Sequence, residues 1–171
     1  MLLALALVLP FLTGQIKEIG NMLCPMHIPV LLCGFTCGPL YAMTVGAIAP
    51  LLRSVSFGMP NLFPEAVGMS AELMAYGFFS GSLYRLLPKR KWSVYAALIS
   101  AMLIGRAVWG TVRAALYGVF GAKFSLAIFL AGAFTKAIPG IILQIILIPV
   151  LVFTIEKTIP KLTDRKDRYG K

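Results

Sequence analysis

Three stretches of this chain, from Glu65 to Leu87, Trp92 to Tyr117 and Phe124 to about Ile155, are apolar almost without interruption. Apolar and polar residues do not alternate in them, so they do not read as strands of a barrel. Their length matches the ~30 Å hydrocarbon core of a bilayer, which takes about 20 helical residues to cross. Lipid offers no partner to a backbone amide, so a spanning segment must satisfy its own hydrogen bonds, as a helix does. Composition agrees: 59% of the 171 residues are hydrophobic and 13% are charged, against about 25% charged in water-soluble domains. The reading is an all-α integral membrane protein.

Shorter segments complete the bundle. A first helix is expected from Leu2 to Thr13, followed by a polar loop, Gly14 to Pro25. The second covers about Met26 to Cys37 and the third Leu40 to Leu52, split by Gly38-Pro39 and ending at Arg53. Both are expected to be short, tilted or shielded by neighbours. An apolar loop, Ser54 to Pro64, leads to the fourth helix, and Pro88 to Lys91 separates the fourth from the fifth. The N-terminus has neither a charged leader nor a small-residue cleavage site and is not expected to be removed; as a span it is short, as if its first helix began upstream of Met1. One domain over 1–171 is expected, with a helical bundle at 1–157 and a basic tail at 158–171.

The net charge of +10 reads as a topology signal. Arg85, Lys89, Arg90 and Lys91 cluster between the fourth and fifth helices, and Lys157, Lys161, Arg165, Lys166, Arg168 and Lys171 crowd the tail. Basic connections stay in the cytoplasm. The loops around Lys17, Arg53 and Lys123 are charge-poor and face outward. Six transmembrane helices with both termini cytoplasmic satisfy every connection. No basic stripe interleaved with aromatics suggests nucleic acid. Cys24, Cys33 and Cys37, with His27 as the chain's one histidine, form neither a disulfide framework nor a complete metal sphere, and neither a metal nor a cofactor is expected.

Ionisable groups within apolar spans carry the functional reading. Glu72, Arg106, Arg113 and Lys136 lie in such spans, where each costs about 2.5–3.5 kcal/mol on insertion scales. They must pair, line a wet cavity or snorkel to the headgroups; Arg113 and Lys136 suit snorkelling. Arg106, Trp109 and Arg113 share one helix face, and Glu72 with Tyr76 another, by their i, i+3, i+4 and i+7 spacings. A guanidinium fork beside an indole suits an anionic ligand with an apolar body. Trp109 reads equally as a core or lipid-facing aromatic. Gly20-Asn21 and Gly58-Met59-Pro60-Asn61 have the turn chemistry of lids over an outward pocket. No phosphate-binding loop, Gly-x-Ser-x-Gly or paired acidic motif is present, so the chain is not expected to be an enzyme, and active transport would draw on a partner or a gradient.

Gly20 to Val30 (GNMLCPMHIPV), Ala49 to Arg53 (APLLR) and Phe57 to Pro60 (FGMP) resemble the substrate-binding S components of energy-coupling factor (ECF) vitamin transporters, the pantothenate-type subgroup in particular. The similarity runs from Leu5 to the basic tail. It implies a six-helix subunit of a bacterial cell membrane that binds a vitamin from outside, working with a module of one transmembrane scaffold protein and two ATPases. On this reading the substrate-binding residues are Asn21, Met22, His27, Arg53, Glu72, Tyr76, Arg106 and Trp109. The family docks through an Ala-x-x-x-Ala pattern on the first helix. Here Ala4 and Ala6 stand at a different spacing, so either the start is truncated or other small residues, such as Gly46 and Ala47, take that role. The alternatives are a self-sufficient carrier driven by an ion gradient, with Glu72 carrying the proton, and a membrane enzyme or assembly protein.

Overall fold

The computed structural model describes residues 1–13, 24–88, 90–119 and 138–158. Six α-helices follow one another in these segments. Helix α1, Leu2–Val8, tightens into a 3-10 turn at Leu9–Thr13; α2 is His27–Thr36 and α3 is Pro39–Phe57. A short π turn, Leu62–Ala66, leads into α4, Val67–Leu86; α5 is Lys91–Val119 and α6 is Ile138–Thr158. No strand occurs among the described residues. Helices α3, α5 and α6 are long and apolar enough to cross a membrane.

Helix α2 has ten residues, about 15 Å of rise, yet every residue from His27 to Phe35 is buried. It is shielded by its neighbours, as its sequence requires. Val30, Leu31 and Phe35 of α2 meet Leu73 and Tyr76 of α4, Ala97 and Leu98 of α5, and Ile148 and Val152 of α6 in one core.

Helix α3 departs from expectation. It continues past Leu52 through Arg53 to Phe57 and stops at Gly58, whose φ of +68° is the left-handed conformation that ends helices at low cost in glycine. Arg53 is therefore a buried helical residue, 5% exposed, and not part of an outer loop. Its Nη1 donates to the carbonyl of Leu7 at 2.8 Å. That carbonyl is accessible because Pro10, three residues on, has no N–H to close the tightened turn. The guanidinium also lies over the rings of Phe11 (5.2 Å) and Phe57 (5.5 Å), tying α1 to α3.

Small residues join α3 to α4. A Cβ on Gly77 would stand 2.6 Å from the backbone of Ala42, and one on Gly46 2.4 Å from the Leu73 carbonyl oxygen. Lipid-embedded helices gain stability by such close approach, because lipid is as apolar as leucine and burial alone drives little. Gly46 is thus consumed by the internal packing and offers no surface to a partner. The same correction applies to Ala6, which is 0% exposed in the core, whereas Ala4 is exposed.

Contacts sort the elements by end. At one end Arg53 meets Leu7, Phe11 and Phe57, and Arg113 lies beside Gly68. At the other, the Arg85 guanidinium covers Gly38, and the Tyr84 hydroxyl donates to Glu156. The exposed basic residues Arg90, Lys91 and Lys157 share this second end with Arg85. Lys89, Lys123, Lys136 and the residues beyond Thr158 lie outside the described residues.

Candidate functional site

Glu72 lies in the second turn of α4, 2% exposed, with Tyr76 one turn further on the same face. Arg106 of α5 faces it: Nη1 stands 3.2 Å from the Glu72 Oε1. His27, the first residue of α2, approaches the same oxygen with Nε2 at 3.5 Å. Three helices thus converge on one carboxylate. The Arg106 Nη2 also donates to the Cys24 sulfur at 3.7 Å. Cys24 precedes α2 with a positive φ of 48°, a conformation uncommon outside glycine and asparagine. The Tyr76 ring meets His27 edge-on at 5.1 Å. It fits because residue 105 is glycine: a Cβ there would fall 2.9 Å from the tyrosine ring.

The α5 face continues upward. Trp109 is buried, and the Arg113 guanidinium lies 5.0 Å from its ring centroid and 5.6 Å from that of Tyr117. Arg113 also donates to the Tyr117 hydroxyl at 3.3 Å. It is half-buried and held by aromatic faces, which accommodate its charge by stacking.

The cluster has unused hydrogen-bonding capacity. His27 is 1% exposed and Arg106 7% exposed, yet the His27 Nδ1 and the Arg106 Nε have no hydrogen-bond partner among the described residues. The 3.5 Å approach of the His27 Nε2 to the Glu72 Oε1 is long for a hydrogen bond. Buried polar groups in native structures are nearly always satisfied, and exceptions call for an explanation. A purely structural ion pair would close its bonds. This one leaves donors and an imidazole nitrogen to spare in the protein interior.

Of the residues singled out from sequence, His27, Glu72, Tyr76, Arg106 and Trp109 gather here. Arg53 does not: its partners are Leu7, Phe11 and Phe57. Asn21 and Met22 lie outside the described residues. Two residues were missed. Cys24 enters the sequence reading only among the cysteines that complete neither a disulfide framework nor a metal sphere. Gln144 of α6 is 1% exposed, and its Oε1 has no partner among the described residues. An amide alone within the apolar run Ile141 to Phe153 was the signal for it.

Converging charges and hydrogen-bonding groups inside a membrane bundle can recognise and hold a polar small molecule. Comparison with curated proteins and with solved structures finds no match. A family model for the ECF transporter substrate-specific component matches residues 1–152. That match spans most of the chain, so the protein belongs to the substrate-specific components of ECF transporters, membrane subunits that bind a small molecule and associate with the ECF module, and not to the enzymes.

Proposed function

We propose that this subunit captures a vitamin or related micronutrient from outside a bacterial cell, pantothenate being the first candidate, for ATP-driven uptake. The observation that carries the reading is the buried meeting of Glu72, Arg106 and His27, with donors left over. Pantothenate suits it through its carboxylate, which a guanidinium binds well. Arg106 is already neutralised by Glu72, so an entering carboxylate competes for it, and Glu72 retains His27 at 3.5 Å. The Tyr76 ring meets His27 at this centre, and Trp109 stands one turn along α5 from Arg106.

The whole chain, 1–171, works as one unit on this reading, a multi-pass bundle with a basic tail and both termini in the cytoplasm. The end that carries Arg85, Arg90, Lys91 and Lys157 faces inward by the positive-inside rule. On this reading the turn at Gly58 to Asn61, at the opposite end, acts as a lid; the other lid candidate, around Asn21 and Met22, lies outside the described residues. Arg53 fixes α1 against α3 beneath that turn and shapes the entrance. A scaffold protein and two ATPases supply the energy, and the exposed Ala4 face of α1 is where the scaffold approaches.

Mass spectrometry of the small molecules that co-purify with the detergent-extracted protein tests this reading. A vitamin at near-stoichiometric ratio, lost in Arg106→Ala, is expected. Purification with a stable protein partner and no small molecule would refute it.

A further inference from the structure

We propose that Gln144 on α6 is the hydrogen-bond acceptor of the binding site: its Oε1 takes an N–H or O–H from the substrate whose polar end is held by Arg106, Glu72 and His27. The inference rests on the reading of that cluster as a substrate site and adds to it what the substrate must carry.

Two independent observations lead there. The first is depth. Tyr84 of α4 and Glu156 of α6 are in contact at one end of the bundle. From that contact both helices run back toward the other end. Twelve residues of helical rise, about 18 Å, lead along α4 to Glu72 and along α6 to Gln144. The two residues therefore lie at a similar depth, about the same length of helix from that contact. The second is chemistry. Gln144 sits among Ile141, Ile145 and Ile148, which pack on the core, and is itself 1% exposed. Its Oε1 has no hydrogen-bond partner among the described residues. A buried amide oxygen without a partner is destabilising, more so where lipid surrounds the bundle. A leucine would fill the same volume without that penalty.

An amide oxygen only accepts, so the substrate must bring the proton. The site then has two poles: a guanidinium and imidazole that bind an acceptor group, and on α6 an oxygen that binds a donor. It selects a compact molecule with an acidic or carbonyl group at one end and a hydroxyl, amide or ring N–H at the other. A simple fatty or aromatic acid, with no donor beyond its carboxyl, is rejected, because it leaves Gln144 unpaired.

The test uses full-length protein in detergent, dialysed against an equimolar mixture of pantothenate, riboflavin, folate and pyridoxine. If the wild-type protein retains none of them, the site reading itself falls, and this inference with it. If it retains one, Gln144→Leu is expected to weaken that binding about tenfold or more, while the thermal melt stays cooperative. A second measurement changes the ligand and compares the two proteins: the retained vitamin is methylated at each N–H and O–H in turn. One methylation should weaken wild-type binding about tenfold and have no further effect in Gln144→Leu. Wild-type affinity in Gln144→Leu would overturn the inference, as would methylation penalties of equal size in both proteins.

Discussion

Replacing Glu72 by Gln keeps the shape of the side chain and removes its charge, so Arg106 is left buried without its carboxylate. At the 3.2 Å separation observed, unit charges in a medium of effective dielectric ~20 attract by about 5 kcal/mol. Desolvation offsets much of this in the intact pair. Once one partner is gone the offset becomes the loss, and breaking buried pairs costs about 3–5 kcal/mol. Glu72→Gln is therefore expected to lose about that much stability, and Arg106→Met a similar amount, since Glu72 then loses its guanidinium and keeps the longer His27 contact. The double mutant has no orphaned charge and should fall short of the sum by about 1–3 kcal/mol. Reversible unfolding in mixed micelles, followed through tryptophan fluorescence, measures all three. A Glu72→Gln protein within about 0.5 kcal/mol of wild type, or strict additivity in the double mutant, would mean that the two residues do not form a buried pair.

Further outcomes follow from other contacts. Gly77→Ala places a methyl 2.6 Å from the Ala42 backbone and should lower stability by about 1–3 kcal/mol, whereas Gly118→Ala, with nothing within 4 Å, should be neutral or slightly stabilising; thermal melts in detergent separate the two. Arg53→Met removes the bond to the Leu7 carbonyl and both ring contacts and should cost about 1–3 kcal/mol, with Arg53→Lys in between, by the same melts. Ala4→Trp thickens an exposed face of α1 and should abolish ATP-driven uptake in cells while vitamin retention by the purified protein is unchanged.

Much of this was legible in the chain. An ionised residue in an apolar run is conspicuous, so Glu72 and Arg106 stood out at once, and the helical spacing placed Trp109 on the face of Arg106. Their pairing was not legible. Glu72, Arg106 and His27 come from three helices far apart in sequence, and only packing decides which faces meet. That packing is set by Gly46, Gly77 and Gly105, whose missing side chains admit Leu73, Ala42 and Tyr76. Arg53 was misplaced for a local reason: Ser54 to Phe57 contains no helix breaker, and the stop comes with Gly58. Ala6 was taken for a surface because small residues serve outer and inner contacts alike, and one sequence does not say which. Gln144 is not conspicuous in the sequence because an amide carries no charge, although a buried amide oxygen without a partner is as telling as an ion.

The central claim, that this chain recognises the vitamin and the ECF module moves it, is tested most directly in proteoliposomes. The purified protein is reconstituted alone and together with the scaffold and two ATPases, and entry of the radiolabelled vitamin that it retains in dialysis is followed. Retention by this subunit alone, and accumulation only with the full module and ATP, is the predicted result. Accumulation by the subunit alone under a proton gradient would contradict the account and make Glu72 a proton carrier.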